Sequence, residues 1–250
     1  MITTSKTPYS NIFPMFKVPD LRKLSTDKNK ELTTEQKTNI ALCAFAGATV
    51  PLVAFNLFKK GQGDKIIEAF KNNFALKDKF KRIWKLFEIE SYSQIFITAT
   101  GGILGGLFSG LRYTNNKEDK EAKYKEGIFE FLNTMIPTTL VAGGLEILKK
   151  QGKTKSIPHQ AGIILSSVAG GMFLANKFSN KINELIFDKN KKNKDIRHFK
   201  ITDCLVHIDD IVNLAVLTKI PLANRLQVDK LLPLIYARTG YEVGTAEKKQ

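Results

Sequence analysis

The sequence predicts an all-α, multi-pass helical membrane bundle with an internal duplication, a Gly-rich helix followed by a polar-entry helix, used twice. Three observations predict it. Four runs of the chain carry almost no charge over the length of a membrane crossing. One of them, "TGGILGGLFSGLRY" (Thr100–Tyr113), gathers its small residues on one helix face. A second stretch repeats the pattern of its end.

Composition sets the frame. The 250 residues carry a net charge of +15, from 39 Lys+Arg against 24 Asp+Glu. Only Arg22, Arg82, Arg112, Arg197, Arg225 and Arg238 are arginine. Phosphate recognition favours the planar arginine fork, and no nucleic-acid motif is present. The charge fits an anionic membrane surface and nucleic acid about equally; with no motif for the latter, nucleic acid is not favoured as a partner. The mean hydropathy of −0.16 is low for a multi-pass chain; long basic connections between apolar spans account for it. A soluble bundle with buried helices is the competing reading. Cys43 and Cys204 form no C-x-x-C pair, so no disulfide framework is expected.

Residues 1–39 read as a polar, basic arm with Pro8, Pro14 and Pro19, without the apolar core of a cleavable signal. The membrane domain follows over 40–225, with spans near 40–58, 93–111, 127–148 and 159–178. A hydrocarbon core needs about 20 apolar residues per helix, and each run meets or approaches that length. The segment 203–222 is a doubtful fifth span, because Asp203, His207, Asp209, Asp210 and Lys219 interrupt it. Residues 226–250 form a C-terminal segment, with Pro233, Arg238 and Glu242 inside its apolar part.

Between the first two spans, residues 64–90 read as an amphipathic basic helix. Aromatics recur at helical spacing, and Lys77, Lys79, Lys81, Arg82 and Lys85 crowd around Trp84. That combination suits the zone beside anionic lipid head groups; packing of the aromatics on the rest of the chain is the alternative.

In the second span, about 100° per residue places Gly101, Gly102, Gly105, Gly106 and Gly110 on one half of the helix, with Thr98, Ala99 and Ser109. Ile103, Leu104, Leu107, Phe108 and Leu111 take the other half, with Ile95 and Thr100 as exceptions. In water each glycine costs about 1 kcal/mol relative to alanine. In lipid the backbone must satisfy itself, so the helix holds. The smooth face then admits a neighbouring backbone; lining a pore or substrate path is the functional alternative. Self-association into a homo-oligomer through such small-residue faces is a further expectation.

"GGLFSGLRYTN" (Gly105–Asn115) aligns with "GGMFLANKFSN" (Gly170–Asn180), so Gly170 and Gly171 join the packing set. After each copy comes a charged linker and a helix with a polar entry. In the first, Glu126, Glu130 and Asn133 sit at i, i+4 and i+7; in the second, Asp203, His207 and Asp210 repeat the spacing. Carboxylates and an imidazole on one face suit an ion or proton site. A polar first turn at a helix N-terminus is the plainer reading.

No catalytic residues, cofactor site or metal site is assigned: no nucleophile–base–orienter set and no phosphate-binding glycine loop can be built. With five spans, the Lys/Arg counts of the two sides balance. With four, the side holding both termini carries about twice as many, an excess that shrinks to roughly 16 against 13 near the spans; this weakly favours four spans with both termini in the cytoplasm. The expected function is that of a membrane component without enzymatic chemistry, structural, assembly-related or lipid-interacting. A small transporter or channel using the duplicated polar faces is the alternative, and a soluble basic nucleic-acid-binding protein the third.

Overall fold

The computed structural model describes residues 31–59, 63–64, 68, 76–152, 157–189, 196 and 230–248. Among the described residues six α-helices are delimited: α1 (Thr34–Phe58), α2 (Leu76–Trp84), α3 (Tyr92–Arg112), α4 (Lys117–Lys150), α5 (Ile157–Ile186) and α6 (Leu232–Thr245). A 3₁₀ turn, Lys85–Phe87, follows α2. No strand occurs among the described residues, and four helices, α1, α3, α4 and α5, are long and apolar enough to cross a membrane.

Local chemistry explains where these helices start. α1 begins at Thr34, ahead of its apolar run, because Thr33 and Gln36 form a reciprocal capping box. Ser91 caps α3 by accepting from the Gln94 N–H. Asn116 caps α4, with Glu118 and Asp119 in the first turn and Lys149 and Lys150 in the last. Those charges oppose the helix dipole at both ends. α4 therefore extends well beyond its apolar run.

The core is organised around α3, and its glycines decide the geometry. α1 runs antiparallel to α3: Gly47 lies on Gly101, and Gly105 lies on Cys43 and Ala44. α6 runs parallel to α3: Gly102 meets the Tyr236 carbonyl, Gly106 meets Gly240, and Gly110 meets Gly244. The contacts are reciprocal, since Gly240 faces the Gly102 carbonyl and Gly244 the Gly106 carbonyl. Backbones this close place Cα–H groups against carbonyl oxygens. The small half of α3 is thus shared: Gly101 and Gly105 serve α1, and Gly102, Gly106 and Gly110 serve α6. Around this junction pack Ala48, Leu52, Ile89, Ile95, Ala99, Leu232, Tyr236 and Ala237, with Ile103, Leu107 and Val243 further along.

α4 and α5 form a second, antiparallel pair. Gly171 lies on the Pro137 backbone, and Gly144 lies on Ile163. Pro137 and Pro51 sit inside α4 and α1 without ending them.

The duplication is not confirmed. Gly105 and Gly106 are both pressed on backbone. A Cβ placed on Gly170 would meet nothing within 4 Å, and in that pair only Gly171 makes a close approach. The matching polar-entry segment, Phe199–Val212 with Asp203, His207 and Asp210, lies outside the described residues, as does the doubtful span 203–222.

Polar side chains share the interior with the apolar core, and large apolar side chains stand on the outside. Gln94, Thr98, Ser109, Glu130, Asn133, Thr134, Ser179 and Thr239 are buried. Leu42, Val50, Phe108, Leu165 and Phe173 are all more than half exposed. Only 33%, 56%, 28% and 28% of the apolar windows of α1, α3, α4 and α5 are covered by the protein itself.

Candidate functional site: a polar seam between α4 and α5

The face predicted from Glu126, Glu130 and Asn133 lies along the α4–α5 contact. α5 packs chiefly on α4, so its buried polar residues, Asn176, Ser179 and Asn183, are covered by α4. Two anchors set the register. Near one end, Lys125 Nζ donates to both carboxylate oxygens of Asp188 at 3.0 and 2.8 Å. Further along, Pro137 lies on Gly171. Counting inward in antiparallel register places Asn133 across from Asn176, Glu130 across from Ser179, and Glu126 across from Asn183.

Glu130 is 4% exposed and Asn133 1%. Their depth is fixed by α3. Gly127 stands against Ile103 and Leu107, and the Phe131 ring meets Phe96 edge-on at 6.0 Å. Glu130 is therefore buried level with the middle of α3. α5 contributes hydrogen bonds of its own: Asn180 Nδ2 donates to Asn176 Oδ1 at 3.1 Å, and Ser179 Oγ to the Asn176 carbonyl at 3.0 Å. Asn176 Nδ2 and Asn183 Oδ1 are buried without a hydrogen-bond partner. Such orphans are uncommon in a packed interior.

The seam is closed at its charged end, ahead of the apolar run of α4. Lys125 also pairs with Glu121 at 3.0 Å. Burial pulls the Lys125 ammonium down, but its bonds to Asp188 and Glu121 outweigh that and hold it above the ordinary lysine range. Lys123 is fully buried and donates to the Ala246 carbonyl at 2.7 Å, at the C-terminus of α6. A cation there complements the helix dipole. Burial pushes the Lys123 ammonium down, opposed by Glu247 and Asp119.

A separate polar clasp holds the opposite end. Asn56 of α1 donates to the Leu86 and Glu88 carbonyls at 2.8 and 3.0 Å. Its own oxygen accepts from Gln94 Nε2 at 2.6 Å, and Gln94 Oε1 accepts from the Glu90 N–H at 2.8 Å. This network ties the loop before α3 to the end of α1. Beside it, Trp84 stacks on Phe80 at 5.9 Å and tilts against Phe87 at 5.8 Å. Lys77 and Lys85 are exposed, and Lys79 and Arg82 half-buried; the Lys81 side chain lies outside the described residues.

Among the described residues, no group of three or more His, Cys, Asp or Glu is placed to hold a metal ion. Spacing and charge in the sequence do not single out Asn56, Gln94, Lys123 or the α5 asparagines. Gly240 and Gly244 also escape notice there, although their small-x-x-x-small spacing carries the signal that marks α3. Comparison with protein-family models, with curated proteins and with solved structures finds no match to this chain.

Proposed function

We propose that this chain is a multi-pass integral membrane protein whose role is structural, as an assembly or lipid-interacting component. The observation that carries the reading is the outward exposure of large apolar side chains on four helices of membrane length. Large apolar side chains such as Val50, at 64% exposure, and Leu165, at 69%, face outward, while amides, hydroxyls and Glu130 face inward. Lipid is the medium in which that arrangement is favourable. The backbone-on-backbone contacts of α1, α3 and α6 support the structural role, because they hold three helices directly against one another. The aromatic, basic stretch of α2 and the 3₁₀ turn after it supports contact with anionic lipid, through Trp84 and the cations Lys77, Lys79, Arg82 and Lys85. The ends that meet at Lys125–Asp188 and Lys123–Ala246 are assigned to the cytoplasmic side on the positive-inside rule.

Cysteine accessibility tests this. In a background without native cysteines, L42C, F108C and L165C should resist a membrane-impermeant maleimide in intact and opened vesicles and react once detergent is added. Full reaction before detergent would refute lipid contact.

A second reading, transport of a proton or small cation, is favoured by one specific observation: Glu130 at mid-depth beside a seam with orphaned amide groups. Flux through proteoliposomes that falls with E130Q would support it. Flux equal to that of protein-free liposomes would end it.

A further inference from the structure

α6 carries a face that the described fold leaves open. Leu231, Leu234, Arg238, Tyr241 and Thr245 follow one another at spacings of three and four, the a/d pattern of a coiled-coil seam. Leu231, Leu234 and Arg238 are exposed, and Tyr241 and Thr245 half-buried. The opposite face is the one pressed on α3 through Tyr236, Gly240 and Gly244. Beside the stripe stands Glu242, whose Oε1 accepts from Arg238 Nε at 3.0 Å. The two side chains are 63% and 46% exposed.

Their depth is what makes them informative. Gly240 is held between Gly102 and Gly106, and α6 runs parallel to α3. Arg238 is therefore level with the middle of α3, about ten residues or 15 Å from either helix end. On the membrane reading above, on which this inference rests, an exposed ion pair at that depth does not face hydrocarbon. Intramembrane charges face protein or water.

We propose that the face is covered by a second copy of this chain, α6 against α6, about a two-fold axis along the membrane normal. Arg238 of each protomer pairs with Glu242 of the other. A face bearing a cation and an anion one helical turn apart is complementary to itself under a two-fold. In a parallel pair, equivalent residues share a depth, so each arginine, within the seam, reaches one turn along to its partner's glutamate, which flanks the seam. Leu231 and Leu234 supply the apolar part of the seam. The glycines of α3 are not available for this contact, because α1 and α6 of the same chain already occupy them.

Disulfide trapping in native membranes tests the proposal. With C43S and C204S as background, L234C should give a covalent dimer on oxidation. L104C, on the lipid-facing side of α3, should not. R238E and E242R should each lower the L234C yield about fivefold or more, and the double variant R238E/E242R should restore it. L234C chains that stay monomeric while resisting alkaline carbonate would overturn the dimer and leave the membrane reading standing. Equal trapping in both single charge reversals would overturn the Arg238–Glu242 pairing. Release of the unmodified chain by carbonate would overturn the membrane reading, and the depth argument with it.

Discussion

Gly106→Ala should destabilise the fold, and the geometry around it sets roughly how much. A Cβ on Gly106 would fall inside contact distance of the Gly240 carbonyl and 3.0 Å from the Gly240 Cα. Carbon atoms sit best at about 3.5–4.0 Å. The obstacle is backbone, so no rotamer change relieves the clash, and α3 and α6 must part by roughly 1 Å. Overpacking of this kind costs about 1–3 kcal/mol, and a rigid backbone contact belongs near the upper end. The helix gains back about 1 kcal/mol from replacing glycine with alanine. The net loss is about 2 kcal/mol, which for a domain of this size lowers Tm by roughly 4–8 °C. Gly143→Ala is the control. A Cβ there meets nothing within 4 Å, so the helix-propensity gain stands alone. Thermal unfolding followed by circular dichroism in mild detergent compares the two. A G106A protein as stable as G143A would refute the argument that the glycines of α3 are there for backbone contact with α6.

Three further outcomes follow from the polar contacts and the aromatic end. Asp188→Asn breaks a pair whose aspartate side chain is 2% exposed and should cost about 2–3 kcal/mol, toward the low end for a buried pair because Glu121 remains. Lys125 is held above its ordinary 10.5, so the stabilisation is present below that value and lost as pH rises through the raised one. Denaturant titration of D188N against the parent should show a gap constant near neutrality and closing in strong alkali; a gap that widens there would contradict the pairing. Asn56→Ala removes two carbonyl bonds and one from Gln94 and should cost about 2–3 kcal/mol, with hydrogen exchange rising in the loop before α3 while α5 is unaffected. Trp84 is the single tryptophan, so its fluorescence in reconstituted liposomes should be quenched more by lipids brominated near the head group than by lipids brominated at the acyl end; the reverse order would remove α2 from the interface.

Much of this architecture is visible in the sequence, for identifiable reasons. Charge-free runs of membrane length mark α1, α3, α4 and α5, because lipid imposes length and apolarity together. The glycine face of α3 is legible because helical periodicity alone sorts small residues from large. Its two occupants are not, since a face records how closely something approaches and not what approaches. α6 shows the point well. Pro233, Arg238 and Glu242 break its apolar pattern, yet its buried side depends on Tyr236, Gly240 and Gly244, which contribute shape and little hydrophobicity. The similarity between Gly105–Asn115 and Gly170–Asn180 does not by itself fix a shared packing, for a related reason. Nine of the eleven aligned positions are similar, but α3 packs on α1, α4 and α6 whereas α5 lies chiefly against α4, so Gly170 is left open. The face of Glu126, Glu130 and Asn133 is readable from spacing, whereas its partner is not, because Asn176 and Asn183 read as the polar exit of a helix until the antiparallel register of α4 and α5 sets them opposite.

Everything proposed for this chain depends on its exposed apolar helix surface facing lipid. Alkaline carbonate extraction of native membranes addresses that dependence without any variant, because high pH strips proteins held by charge and leaves those held by buried apolar helices. A chain embedded through α1, α3, α4 and α5 stays in the pellet through carbonate and high salt, and leaves only with detergent. Recovery in the carbonate supernatant would contradict lipid contact.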